Sequence, residues 1–167
     1  MILLAEELGC GKVAEAVTGG TTRAASVAAA ISVVPDDAAV VLVHDAARPV
    51  LPEEVIERVL TALNEGWDGA IPVMSLTDTV KRVESDRVVE TVEREGLAVA
   101  QTPQAFVAPV LRAALSDDDA TDCSALVEAR GGRIKAVPGD ARLLKVTGPE
   151  DLETVEHLLG DPAPSDA

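Results

Sequence analysis

The residues best suited to chemistry stand together at His44, Asp45 and Arg48. They follow directly on Val40-Val41-Leu42-Val43 and precede Pro49. Four apolar residues in a row read as a strand buried on both faces, the usual state of a strand in a parallel sheet. In an open α/β sheet, ligands bind beyond the carboxyl ends of the strands. One carboxylate and one guanidinium are therefore expected where substrates bind, beside a proline that ends the element. On the residues alone a second reading stays open, in which Asp45 and Arg48 are a local ion pair holding a turn.

A second stretch able to bind an anion is Gly19-Gly20-Thr21-Thr22-Arg23-Ala24-Ala25-Ser26-Val27. Two glycines allow a tight backbone path, and Thr21 or Thr22 can cap the helix that follows. The first amides of that helix favour negative charge, with Arg23 and Ser26 on nearby turns. The pair lacks the full spacing of a phosphate loop, so a plain loop-to-helix junction fits equally. Asp117-Asp118-Asp119 suggests a metal, but adjacent carboxylates point in different directions, and solvated surface is the simpler reading. Cys10 and Cys123 have neither metal-ligand spacing nor a disulfide pattern and read as free thiols.

The 167 residues carry 29 acidic and 14 basic side chains, a formal charge of −15. Such a surface repels nucleic acid and anionic membranes. If the ligand is itself anionic, the few basic residues must converge in one place. No apolar run is long enough for a membrane span. The first residues, Met1-Ile2-Leu3-Leu4-Ala5-Glu6-Glu7, lack the basic region and cleavage site of a signal peptide, so the expectation is a cytoplasmic protein.

The elements that must position these residues follow in order. Residues 1–8 read as the end of a helix, and Lys12 to Val17 as a weak strand. A helix runs from the Gly-Gly stretch to about Val33. After the Val40 strand, Pro52-Glu53-Glu54 opens a helix with apolar residues at Val55, Ile56, Val59, Leu60 and Leu63. Gly69 to Val73 is the next strand, and Trp67 is expected at the sheet edge. Residues 77–95 contain two alternating runs around Glu84-Ser85-Asp86, the pattern of a hairpin without a core face of its own. It should protrude as an arm and be covered by a partner, which suits a dimer. Leu97 to Gln101 reads as a strand and Thr102-Pro103-Gln104-Ala105-Phe106 as the turn leaving it, with Phe106 in the core. Helices are expected from Val107 to Leu115 and Cys123 to Ala129, strands from Arg133 to Val137 and Leu143 to Val146, and a last helix from Leu152 to Leu159. Residues 161–167 read as a flexible tail. The alternation predicts one domain over 1–160, a mostly parallel α/β layer fold.

Seven blocks, in order, resemble the 2-C-methyl-D-erythritol 4-phosphate cytidylyltransferase family, which also takes in ribitol-phosphate cytidylyltransferases. They are Gly19-Gly20-x-x-Arg23-x-x-Ser26-Val27, Val43-His44-Asp45-Ala46-Ala47-Arg48-Pro49, Asp78-Thr79-Val80-Lys81, Thr91-Val92-x-Arg94-x-Gly96-Leu97, Gln101 to Phe106, Thr121-Asp122, and Lys145-Val146-Thr147-x-Pro149-Glu150-Asp151-Leu152. The resemblance implies a mostly parallel, Rossmann-like nucleotidyltransferase sheet of the nucleotide-diphospho-sugar transferase type. It implies transfer of CMP from CTP to 2-C-methyl-D-erythritol 4-phosphate, with release of pyrophosphate and with magnesium, Mg2+, on the triphosphate. By the same resemblance, Asp45, Arg48 and Lys145 are catalytic, and Gly20, Arg23, Ser26 and Asp45 hold the nucleotide. Asp45 takes the metal, and Arg48, Thr79, Arg94 and Thr121 hold the acceptor. The arm would reach across a homodimer to the neighbouring subunit's acceptor.

The sequence departs from the family pattern in two places. A first strand and Gly-rich triphosphate loop, expected at the start of the family's domain, have no counterpart before Gly19. The chain therefore resembles a family member lacking its N-terminal third, and little activity is expected of residues 1–167 alone. Cys123-Ser124 stands where the family commonly has a glutamate. Two alternatives to the methylerythritol-phosphate enzyme are a ribitol-phosphate enzyme and a non-catalytic remnant that binds a partner through the arm.

Overall fold

The computed structural model describes residues 7–115 and 122–160. Lys12 to Val17 forms no strand, and the chain becomes regular only at α1 (Arg23–Ile31). Thr22 caps this helix, its hydroxyl accepting from the Ala25 amide at 3.1 Å. β1 (Val40–Val43) follows, then α2 (Glu53–Asn64), which opens after Pro52 with Glu53 and Glu54 in its first turn. One face of α2 buries Val55, Val59 and Ala62. β2 (Gly69–Ser75) leads into the arm, built from β3 (Val80–Glu84) and β4 (Arg87–Val92). The chain returns through β5 (Ala98–Ala100) and β6 (Gln104–Val107) to α3 (Ala108–Ala114). After α4 (Cys123–Ala129), β7 (Ile134–Pro138) and a loop lead to α5 (Pro149–Gly160).

The expectation of a mostly parallel sheet is wrong. β1 pairs with β6, β6 with β2, and β2 with β5, all antiparallel, and only β2 and β7 are parallel. The cause is β6, a strand where a turn is expected. Thr102-Pro103 looks like a breaker, yet Gln104 to Val107 pairs with both neighbours, Val43↔Gln104 on one side and Ala70↔Ala105 on the other. β5 and β6 lie on the same side of β2 and run against it as one strand interrupted at residues 101–103. Two antiparallel steps leave β1 and β2 pointing the same way, so the crossover through α2 does join like-directed strands. They are simply not neighbours. The C-terminal end of β1, where Asp45 begins, keeps the position a ligand site needs.

Phe106 is fully buried at the centre of the larger core cluster, with Leu111, Val127 and Ile31 around it. Gly69 sits against it because no side chain fits there: a Cβ would come within 2.7 Å of both Phe106 Cδ1 and Ile134 Cδ1. A second cluster gathers Val59, Ala62, Ala70, Ala105 and Val137, with Trp67 packed on it. Trp67 stands just before β2, its ring facing Arg133 at 5.5 Å.

The arm is a separate two-stranded sheet with an irregular register between Arg82 and Val83. Its apolar residues Val83, Val88 and Val89 are exposed, and β5 is exposed along its whole length. Leu143 to Val146 forms no strand. The Leu143 carbonyl is taken by the Arg48 guanidinium and the Val146 amide bonds to the Ala47 carbonyl, so side chain and loop replace a ladder.

Candidate active site

The loop after β1 is closed by its own backbone. The Arg48 amide donates to the Asp45 carbonyl at 2.9 Å, turning the chain so that both side chains project to the same side as residue 145. Asp45 is then met by three cations. Lys145 Nζ lies 3.1 Å from Asp45 Oδ2, Arg48 Nε 3.9 Å from the same oxygen, and Arg23 Nη2 3.6 Å from Oδ1. The three come from different parts of the chain: the start of α1, the turn after β1, and the loop before α5. The Asp45–Arg48 pair is more than a local turn clamp, because it is one of three contacts that Asp45 makes with cations.

The cluster holds an excess of one positive charge even with Asp122 included, since Arg23, Arg48 and Lys145 face Asp45 and Asp122. Burial opposes the charged form of Asp45. The hydrogen bond and charge of Lys145, then Arg23 and Arg48, outweigh it and hold the carboxyl below the usual carboxylate range. Burial lowers the Arg48 guanidinium, which stays a cation because arginine does not lose its proton in proteins. Arg23 is carried further: its Nη1 lies 3.3 Å from the buried Cys123 Sγ and 4.0 Å from Asp122 Oδ1. Burial pushes the Cys123 thiol up, so it accepts from Arg23 as a neutral group.

Arg23, Ser26, His44 and Asp45 line one rim of a cleft of about 450 Å3 between α1 and β1. Its floor is apolar, from Val27, Ile31 and Val41. Ser26 holds the approach to it: its hydroxyl donates to the Thr22 carbonyl at 2.9 Å and accepts from the Gly20 amide at 3.1 Å. Gly20 is required there, since a Cβ would come within 2.3 Å of Ala25 Cβ.

Six of the expected residues are thus gathered on one side of the sheet: Gly20, Arg23, Ser26, Asp45, Arg48 and Lys145. Thr79 and Arg94 are exposed on and beside the arm, and the Arg94 guanidinium bonds to the Thr77 carbonyl within it. No contact joins either to the Asp45 cluster. Thr121 and the triple aspartate lie outside the described residues.

Among the described residues, no group of three His, Cys, Asp or Glu side chains gathers to hold a metal. Both Asp45 oxygens face cations, so the donor set does not suit a metal held by the protein alone.

Sequence reasoning missed two partners. Thr102 Oγ1 lies 3.0 Å from the Asp45 amide and 3.0 Å from His44 Nδ1, across 57 residues of chain. Gln101 is buried and bridges to Asp140 in both directions, Nε2 to its carbonyl at 2.9 Å and Oε1 from its amide at 3.0 Å. No periodicity or spacing signals a bond of that range.

A sequence model of the 2-C-methyl-D-erythritol 4-phosphate cytidylyltransferase family matches residues 3–161. The enzyme of that name from Frankia casuarinae is 47% identical over 153 residues, covering 90% of this chain and 58% of the relative. A bifunctional IspD/IspF enzyme from Solidesulfovibrio magneticus is 43% identical, over 87% of this chain and 38% of its own length. The chain therefore spans about half the length of these curated relatives. The crystal structure of the Thermus thermophilus cytidylyltransferase superposes with a TM-score of 0.79 at 36% identity, covering 86% of this chain and 72% of that one. The seven sequence blocks and the match over nearly the whole chain agree: it belongs to the 2-C-methyl-D-erythritol 4-phosphate cytidylyltransferase family.

Proposed function

We propose that this chain forms the acceptor and phosphate side of a CTP-dependent cytidylyltransferase that acts on 2-C-methyl-D-erythritol 4-phosphate. The observation that carries the reading is the convergence of Arg23, Arg48 and Lys145 around Asp45 in a protein of charge −15. The cations of an acidic protein gather in this way to meet an anion. The family and the activity for which its relatives are named support the choice of acceptor.

In the reaction, a phosphate oxygen of the acceptor forms a bond to the α-phosphorus of CTP. The bond from that phosphorus to the bridging oxygen breaks, and pyrophosphate leaves with the electron pair. No covalent intermediate on the protein is needed. The work is in-line positioning and neutralisation of charge on the phosphoryl oxygens. Lys145, half-exposed at the end of the cluster, supplies a mobile positive charge. Arg48, with only a tenth of its side chain exposed and its guanidinium tied to the Leu143 carbonyl, supplies a fixed one. Arg23 and Ser26 face the cleft beside α1, whose apolar floor suits the cytosine ring and ribose. Magnesium enters as part of the CTP substrate and neutralises the triphosphate, with Asp45 as the residue that would share it.

The arm and β5 support homodimer formation. Val83, Val88, Val89, Leu97 and Val99 are all exposed on one protruding region, and a second copy would cover them. Thr79 and Arg94, remote from this chain's own cluster, would then serve the partner's acceptor. Light scattering on the purified protein tests this part, and a monomer at high concentration would overturn it.

The activity is tested by pyrophosphate release from CTP and magnesium, with methylerythritol phosphate or ribitol 5-phosphate as acceptor. The reading expects release that is weak from residues 1–167 alone, requires methylerythritol phosphate and falls on the Lys145→Ala substitution. Preference for ribitol 5-phosphate, or release unchanged by that substitution, would overturn it.

A further inference from the structure

We propose that His44 and Thr102 are positioning residues: a one-way hydrogen-bond relay through them sets the backbone from which Asp45 and Arg48 project. This rests on the cytidylyltransferase reading for its functional consequence, but the relay follows from geometry alone.

The Arg48 carbonyl fixes the direction of one bond, and for a ring carrying a single proton the others follow. His44 Nε2 lies 2.9 Å from the Arg48 carbonyl oxygen. A carbonyl only accepts, so Nε2 carries the proton. In the neutral ring the other nitrogen, Nδ1, is then an acceptor, and the group 3.0 Å from it is Thr102 Oγ1. The threonine hydroxyl donates its one proton there. Its oxygen is left with lone pairs, and the Asp45 amide donates to it at 3.0 Å. The relay therefore runs from Asp45 N–H to Thr102 Oγ, from Thr102 O–H to His44 Nδ1, and from His44 Nε2–H to the Arg48 carbonyl. With the Arg48 amide bonded to the Asp45 carbonyl, the loop 44–48 is closed on itself from both sides.

The arrangement has a purpose beyond packing. Thr102 is buried and belongs to the interruption between β5 and β6, not to the loop. It carries the loop's geometry from the sheet, so the two charged side chains are referred to β6 and not to the segments that bring Arg23 and Lys145. Its neighbour Gln101 makes the same kind of link on the other side, to Asp140 in the segment that leads to Lys145. Residues 101 and 102 thus brace both flanks of the cation cluster. Neither contacts the cleft as a ligand would, and both act through other residues.

The test is long-range nitrogen–proton NMR of the histidine rings in the whole chain. There are only two histidines, His44 and His157, and a His157→Asn variant assigns them. The relay requires a single neutral Nε2–H tautomer at His44 in the wild type. Thr102→Val should leave Nδ1 without its donor, read as a shift of the Nδ1 resonance, and weaken pyrophosphate binding, read by calorimetry, by about tenfold, the effect of leaving the Asp45 amide unpaired. Thr102→Ser keeps the hydroxyl and should restore both the resonance and the affinity to within about twofold of wild type. An Nδ1–H or mixed tautomer in the wild type, or wild-type pyrophosphate affinity in Thr102→Val, would overturn the proposal. If Thr102→Val does not fold, the wild-type tautomer decides alone. A chain showing the tautomer and the Thr102 dependence but no binding of CTP would refute the functional reading and leave the relay standing.

Discussion

Replacing Asp45 with asparagine should loosen the fold and at the same time tighten metal-free pyrophosphate. The shape of the side chain is kept and its charge removed, leaving Arg23, Arg48 and Lys145 with only Asp122 to offset them. Lys145 is 48% exposed, so its pair with Asp45 contributes no more than about 1 kcal/mol to stability. Arg48 is 10% exposed, and removing the partner of a charge at that depth costs more, toward ~3 kcal/mol. A total of ~3–4 kcal/mol corresponds to a fall in Tm of roughly 6–16 °C for a domain of this size. The effect on anions has the opposite sign. A carboxylate about 4 Å from a bound phosphate repels it by ~1 kcal/mol in water and up to ~4 kcal/mol at an effective dielectric of about 20. With Asp45 21% exposed, a gain of ~1–2 kcal/mol, about tenfold in affinity, is expected on its removal. Thermal unfolding and calorimetric titration of pyrophosphate without metal read the two effects. An Asp45→Asn protein as stable as wild type, or one that binds pyrophosphate more weakly, would refute the view of Asp45 as the competing anion in a cation site.

Three further outcomes follow from the same geometry. Phe106→Ala should cost about 3–5 kcal/mol by emptying the larger core cluster, seen as a lowered midpoint in chemical denaturation. Gly20→Ala should displace Ala25 and break the amide bond from Gly20 to Ser26, weakening CTP binding in a calorimetric titration while leaving Tm nearly unchanged, because the junction is exposed. Asp45, Asp140 and Asp151 are all held below the usual carboxylate range, by Lys145 and the arginines against burial, by the Arg142 side chain, and by the Thr147 amide respectively. The unfolded chain therefore takes up protons first as pH falls, so stability present at neutral pH should be lost below about pH 4, and Asp151→Asn should flatten that part of a Tm-against-pH curve.

Much of the site was legible in the sequence because its residues sit in local motifs. Thr22 caps α1, Pro52 opens α2, and Val40 to Val43 ends at Asp45, each from a pattern of a few residues. The sheet was legible only in part. Gln104-Ala105-Phe106-Val107 is too short to show a period and follows Thr102-Pro103, so it reads as a turn, yet it is the strand that separates β1 from β2. Leu143 to Val146 has the apolar look of a strand, but its backbone groups bond to the Arg48 side chain and the Ala47 carbonyl. The bonds of Thr102 and Gln101 are set by tertiary placement across 57 and 39 residues, which no local pattern encodes. Thr79 and Arg94 carry motif signals and lie on and beside the arm, apart from this chain's own cluster.

The central claim is that Arg23, Arg48 and Lys145 form one anion site at the end of β1. Calorimetric titration of CTP into the chain, wild type against Arg48→Ala and Lys145→Ala, at low and high salt, tests it most directly. The account predicts a single site whose affinity falls as salt rises and falls again by about tenfold or more in each variant, as expected on losing a charge-assisted phosphate contact. Affinity that is indifferent to salt and to both substitutions would contradict it.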